Sequence, residues 1–298
     1  MVSSVDDVPE PAMLTSEQLW AEVLSYGAFD SANDRASAVV DLLQRRGESQ
    51  TADWALAALR STGAWHREAA TWVLGSLSVP DRSVIMAALI TAAEEERDAD
   101  TFFNLVDAIG HAQDARWLND LLRYADHTDP QVRESVARHL PNMDSADTRT
   151  LPAEAIEALI ILTRDAEPRV RDWATMGLGF QTANGNGDAA IREALHARLD
   201  DEDYDDDDGY PIATSGEALL ALAYLHDPTI AEHLAARLAE PTHIIGNLPV
   251  EAAGAYGDPR YLPALYRLRE AGWADDPDEA QPETLADAIT ALEALQAK

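Results

Sequence analysis

Apolar residues recur along this chain at helical spacing. Ile156, Leu159, Ile160 and Thr163 follow an i, i+3, i+4, i+7 pattern. Ile191, Leu195 and Leu199 form a second such stripe, Ile230, Leu234 and Leu238 a third, and Leu262, Leu265 and Leu268 a fourth. Alternating β-branched runs closed by Asn-Gly turns are missing. The Asn184–Gly187 cluster sits between two helical patterns and ends the first. The pattern predicts about sixteen short helices, the first over 16–27 and the last over 282–297, with no sheet. Asp129-Pro130, Glu167-Pro168 and Asp258-Pro259 place a carboxylate just before a proline. Such a carboxylate can accept from the orphan amides of a first turn, and proline fits the first helical position. Gly75, Gly110, Gly179 and Gly257 fall where second helices should end, so they are expected as left-handed caps.

The helices pair, and the pairs repeat. The second helix of a pair carries an acidic residue followed by small and apolar ones. This is seen in Arg67-Glu68-Ala69-Ala70-Thr71-Trp72, Val132-Arg133-Glu134-Ser135-Val136-Ala137 and Val170-Arg171-Asp172-Trp173-Ala174-Thr175. Weaker copies start at Glu217, Glu251 and Asp287, and Phe103-Asn104 supplies a missing one. Successive acidic residues are 66, 38, 45, 34 and 36 apart, and the first interval holds two repeats. Pairs with this period cannot bury their apolar faces alone, so they stack. The expectation is an all-α, right-handed α-solenoid of about eight antiparallel helix pairs. Residues 1–15 are expected to be a flexible segment and 16–298 one repeat domain. Within it, 200–209 reads as an acidic loop inserted in the long interval, solvated and outside the packed array.

Composition narrows the partners. The 298 residues hold 54 Asp and Glu against 22 Lys and Arg, a net charge of −32. That excludes binding by phosphate neutralisation and docking to an anionic membrane, so neither nucleic acid nor membrane is an expected partner. Cys is absent, which removes disulfides, thiolate chemistry and iron–sulfur clusters. The N-terminus lacks a basic n-region and an apolar h-region, and no apolar run reaches the ~18 residues of a membrane span. A cytoplasmic location is the expectation.

Motifs for chemistry are sparse. The histidines are His66, His111, His127, His139, His196, His226, His233 and His243, and no pair has HExxH or HxH spacing. They read as surface or cap residues, so no metal or cofactor is expected. Counting back from Gly209, the acidic run places Tyr204 and Ser215 where an EF-hand needs Asp and Glu. Gly177-Leu178-Gly179 follows a helix rather than a strand, and Thr214-Ser215-Gly216 has no nearby His. Seven tryptophans read mainly as packing between repeats. Trp173 is expected there, with Trp65 and Trp72 as alternative ligand anchors.

The phrases Asp129-Pro130-Gln131-Val132-Arg133 and Glu167-Pro168-Arg169-Val170-Arg171-Asp172 resemble the second-helix signature of HEAT repeats. The array is similar to bacterial HEAT-like proteins, including the phycobilin-lyase-type repeats. The resemblance implies Asp–Arg ladders between repeats, which would involve Asp129 and Arg133, and Glu167 and Arg171. Ile212-Ala213-Thr214-Ser215-Gly216-Glu217 has no Arg, so the ladder should break beside the acidic insertion. The implied function is a non-catalytic, monomeric interaction scaffold. Its groove would be lined by Glu68, Thr71, Asn104, Asp107, Glu134, Arg138, Asp172, Thr175, Glu217 and Glu251. So acidic a lining suits a basic protein partner, or a basic toxin held by an immunity-type inhibitor. A bilin-lyase-like enzyme or chaperone is the alternative. A DNA-repair solenoid needs a basic groove and is the remotest reading.

Overall fold

The computed structural model describes residues 9–27, 34–143, 151–185, 187–240, 246–273 and 282–297. Among the described residues the chain forms sixteen α-helices, in two compact units covering 1–143 and 144–298. The first unit runs α1 (Ser16–Ser25), α2 (Asp34–Arg46), α3 (Ser49–Ala58), α4 (Ala64–Gly75), α5 (Ser83–Glu95), α6 (Ala99–Gly110), α7 (Leu118–Leu122) and α8 (Pro130–His139). The second runs α9 (Ala153–Leu162), α10 (Pro168–Ala183), α11 (Ala189–His196), α12 (Thr214–Tyr224), α13 (Ala231–Ala239), α14 (Leu248–Tyr256), α15 (Leu262–Glu270) and α16 (Pro282–Gln296). The first and last helices, α1 and α16, lie within the expected spans 16–27 and 282–297. Residues 1–8 of the expected N-terminal segment, and His243, lie outside the described residues. Pro11–Met13 forms a 3-10 turn, and Thr15 opens α1 with a capping box completed by Gln18.

In each unit the even-numbered, second helices form a tightly packed layer. In the first, α2 lies on α4, α4 on α6 and α6 on α8; in the second, α10 lies on α12, α12 on α14 and α14 on α16. The odd-numbered helices meet one another more sparsely. Small side chains cause the difference. Ala69, Ala70, Ala108 and Ala137 in one unit, and Ala174, Ala218, Ala252 and Ala253 in the other, are buried and let the backbones approach. The larger core residues, among them Leu74, Met86, Leu89, Leu105, Ile109 and Leu121 in the first unit, fill the space between the two layers of helices.

The glycines correct an expectation. Of the four expected left-handed caps, only Gly257 is left-handed, at φ 75° after α14. Gly75 and Gly110 instead keep helical conformation because a side chain there would strike the next helix. A Cβ on Gly75 would stand 3.3 Å from the Ala108 Cβ, and one on Gly110 would sit 2.4 Å from the His139 ring. Gly179 is also helical, with more room. The acidic caps hold at Asp129 and Asp258, which accept from the amides of Gln131 and Arg260. They fail at Glu167, whose side chain makes no cap bond.

The expectations of no sheet and of a solvated loop are also revised. Tyr204–Asp205 pairs antiparallel with Pro211–Ile212 between α11 and α12, so the acidic insertion is a hairpin. Asp206 accepts from the amides of Asp208 and Tyr210 at its tip. Arginines from the helices then hold it. Arg169 of α10 donates to Asp206 and Asp208 at 2.5 and 2.7 Å, and its guanidinium lies over the Tyr210 ring. Arg237 of α13 pairs with Asp203 at 3.1 Å, and the Asp203 side chain is 3% exposed. Four of the eight carboxylates (Asp201, Asp203, Asp206 and Asp208) thus face arginine. Charge density alone suggested a solvated run; the arginines that neutralise it lie up to 39 residues away along the chain.

Candidate functional site

The Val-Arg arginines work first within their own repeats. Arg133 donates to the carbonyls of His127 and Thr128, and Arg171 to those of Asp165 and Ala166. These carbonyls lie in the turn before the second helix, where backbone acceptors lack helical partners. Arg171 also reaches Asp201 at 3.4 Å, in the next repeat. Asp129 caps α8 by accepting from the Gln131 amide.

The expected groove residues divide between the units. In the second unit, Asp172 on α10 is buried and accepts from the Ala213 amide at 3.0 Å and the Thr214 hydroxyl at 3.2 Å. It thereby ties α10 to the start of α12. Glu217 lies in the first turn of α12, half-buried. Burial pushes its carboxyl up to about 8, and the charges of Asp172 and Glu251 add to the effect. Glu251 on α14 accepts from the Tyr224 hydroxyl at 2.7 Å. Burial, and then that carboxylate, push the Tyr224 phenol up to about 12. Three carboxyl groups on three successive second helices therefore share one field. On the same helices, α10 carries half-buried Trp173 and Met176 and exposed Phe180, and α12 carries half-buried Leu220 and Tyr224. Trp173 is not wholly packed between repeats, as expected, but half-buried with its ring 6.3 Å from that of Tyr210.

In the first unit the second-helix residues bond to one another. Trp72 Nε1 donates to Asn104 Oδ1 at 3.1 Å, and Asn104 Nδ2 donates to Glu68 at 3.3 Å. Burial raises the Glu68 carboxyl above its ordinary value, helped by Asp100 and Asp98. Trp65 meets Trp72 edge to face at 5.5 Å and donates to the Leu24 carbonyl, which accounts for both rings within the unit.

Asp107 is the hub. The Ser135 hydroxyl donates to its Oδ1 at 2.9 Å, Arg138 pairs with the same oxygen, and His139 Nε2 lies 2.9 Å from it. His111 Nε2 stands 3.3 Å from Oδ2. Burial opposes ionisation of Asp107, but the bonds from His111 and His139 and the charge of Arg138 outweigh it, holding the carboxyl far below the usual range. Burial lowers the His139 imidazole, against the pull of Asp107. Asp107 and His111 also border a cavity of about 160 Å³ that Gln44, Thr71, Trp72 and Asn104 help to line.

Two expected groove residues, Thr71 and Thr175, are wholly buried, with hydroxyls donating to the carbonyls of Glu68 and Arg171. A partner cannot touch them. Glu134 is half-buried on α8. Sequence reading missed His111 and His139. His139 is buried rather than at the surface, because its ring fills the space left by Gly110. The signal was present: Asp107 and His111 are one helical turn apart, and His139 follows 32 residues after Asp107, close to one repeat.

No helix among the described residues is long and apolar enough to cross a membrane. The family model for HEAT repeats matches residues 86–179. No curated protein sequence matches the chain. Among solved structures, the YibA protein of Escherichia coli aligns over 95% of this chain and 94% of its own, at 19% identity and TM-score 0.65. The complex of CpcE and CpcF of phycocyanin lyase from Nostoc sp. PCC7120 aligns over 82% of this chain and 88% of that one, at 20% identity and TM-score 0.50. At these identities the likeness is one of fold, and that fold is an all-α, HEAT-like array of stacked helix pairs.

Proposed function

We propose that this chain is a non-catalytic interaction scaffold, and that the second-helix face of its second unit receives a basic segment of a partner protein. The observation that carries this reading is the grouping of three carboxyl groups, Asp172, Glu217 and Glu251, on the successive second helices α10, α12 and α14. The Glu217 carboxyl is pushed up to about 8 by burial and by the flanking Asp172 and Glu251. At about 8 the carboxyl is largely protonated at neutral pH, so an arriving cation displaces that proton, and binding strengthens as pH rises through this value. Arg or Lys side chains of a partner supply that cation. Half-buried Trp173 and Met176 and exposed Phe180 on α10, with half-buried Leu220 on α12, supply apolar area that a peptide with alternating basic and apolar residues can cover. The likeness to a lyase complex is one of fold and carries no residue into this reading.

The test is fluorescence anisotropy with a labelled Arg/Leu-rich peptide. Binding is expected to weaken by ~10-fold or more in the Glu217→Gln, Glu251→Gln double variant, and to show a smaller salt slope. A control variant, Glu94→Gln, Glu95→Gln in the first unit, should bind as the parent does. Equal binding by all three proteins, or binding indifferent to salt, defeats the proposal.

A further inference from the structure

We propose that Asp107, His111 and His139 form a binding site for one divalent transition-metal cation. One oxygen and two imidazole nitrogens converge there, all within 4.8 Å of one another. The carboxylate stands 3.3 Å from His111 Nε2 and 2.9 Å from His139 Nε2. An ion with bonds of ~2.0–2.2 Å needs ligand atoms a little over ~3 Å apart, so the three groups accept it with small side-chain rotations. Two imidazoles and one carboxylate select zinc, iron, cobalt or nickel over calcium and magnesium, which take oxygen ligands.

The surroundings support a ligand set. His111, the C-cap of α6, follows Asp107 by one turn, and α8 delivers His139 from the next repeat. Gly110 lies between them, and any side chain there would overlap the His139 ring. The ring therefore has one place to sit. Ser135 donates to Asp107 and fixes its carboxylate, as partners of metal-bound carboxylates do. The cavity of about 160 Å³ beside Asp107 and His111 leaves room for water on the remaining coordination positions. Arg138, paired with Asp107 Oδ1, opposes the cation, so its charge sets an upper limit on the affinity. The inference is independent of the peptide-binding proposal, which concerns the other unit.

The experiment titrates metal-stripped full-length chain with Zn²⁺ by calorimetry and with Co²⁺ by visible absorption, both in excess Mg²⁺ to occupy surface carboxylates. The expected result is one Zn²⁺ per chain, a rise in melting temperature, and Co²⁺ bands of low coordination number. His111, at 42% side-chain exposure, can be changed without opening the core. His111→Asn is expected to weaken Zn²⁺ binding by at least ~100-fold, because loss of a ligand costs no less than the ~10–100-fold that loss of an outer partner does. Arg138→Gln should strengthen binding several-fold, a change that a purely structural role for the cluster does not predict. His66→Asn, at an exposed histidine elsewhere, should change nothing. Uptake that disappears in excess Mg²⁺, or equal binding by the parent and His111→Asn, overturns the inference.

Discussion

The two units use the same layer of second helices and hold two of its carboxyls, Asp107 and Glu217, in opposite ways. In the first, Asp107 accepts from or pairs with four side chains, and its ionised form is strongly favoured. In the second, Glu217 sits between Asp172 and Glu251, and its ionised form is disfavoured. Both carboxyls are substantially desolvated, so burial does not separate them. The neighbours do: Arg138 and His139 of α8 with His111 at the end of α6 in one case, carboxyls of α10 and α14 in the other. A repeat that fixes the backbone leaves this charge pattern free to vary, and function can reside in the variation. The α6–α8 contact of the first unit is electrostatically closed and organised around an Asp–His cluster. The second unit's layer is left acidic and faces apolar side chains.

The sharpest break in the comparison should come from glycine. Gly110→Ala places a Cβ 2.4 Å from the His139 ring, whereas Gly179→Ala in the second unit meets only the Ala221 Cβ at an ordinary 3.7 Å. We expect Gly110→Ala to cost ~3 kcal/mol through overpacking, despite the ~1 kcal/mol by which Ala favours a helix. Gly179→Ala should stabilise by ~0.5–1 kcal/mol. Urea unfolding of the two variants measures the difference. Like signs would show that the two layers are equally tight.

Asp107→Asn tests the closed cluster. Removing the charge deletes the ion pair of Asp107 with Arg138 and weakens its bonds to Ser135 and His139, which should cost ~2 kcal/mol at neutral pH in the presence of chelator. The folded carboxyl titrates below its ordinary value, so its stabilisation is complete above that value and is lost as pH falls through the acid range. The gap between parent and variant, read from urea midpoints, should therefore narrow on acidification. A gap independent of pH would remove Asp107 as the charged hub.

How far these sites could be read from the sequence follows from what is periodic. The helices were legible because a buried stripe must recur at 3.6 residues, and Leu159 or Leu234 cannot be moved without losing the core. The repeat was legible because Val-Arg-acidic phrases recur, even though Arg133 and Arg171 turned out to bond to backbone carbonyls. Glycine roles were misread because a helix end and a close helix crossing both demand the absence of a Cβ, and only the neighbour's position distinguishes them. The Asp107 cluster went unread for a related reason. Its ligands come from two repeats, and motif spacing within one element says nothing about what the next repeat brings to it. The hairpin was hidden because Arg169 and Arg237 lie on other helices.

Glu217→Gln tests the open layer, with the opposite sign. The folded carboxyl, at about 8, lies above its ordinary value of 4.5. Between those values the folded chain holds a proton that the unfolded chain has released, so stability declines as pH rises through this window. Glutamine mimics the protonated form and removes the decline. The variant should match the parent near about pH 5 and exceed it by ~1–2 kcal/mol near about pH 8.5. A parent whose urea midpoint is as high at the upper pH as at the lower would show Glu217 ionised without penalty, and the second unit would then resemble the first.

The smallest effect should separate two carboxylates of one hairpin. Asp203 is 3% exposed, accepts from the Ser215 amide and hydroxyl at 2.9 and 2.5 Å, and pairs with Arg237. Asp208 is 81% exposed and shares Arg169 with Asp206. Asp203→Asn should cost ~1–2 kcal/mol, because it weakens buried bonds to a charged acceptor. Asp208→Asn removes only an exposed ion pair and also lowers the charge density of the tip. Its net effect should be within ~0.5 kcal/mol of zero, and it should shift toward stabilisation at low salt, where repulsion among the remaining carboxylates is least screened. Unfolding at two ionic strengths measures both. A loss at Asp208 as large as that at Asp203 would mean that Arg169 holds the hairpin chiefly through its exposed end, and that the inner anchor at Ser215 and Arg237 contributes little.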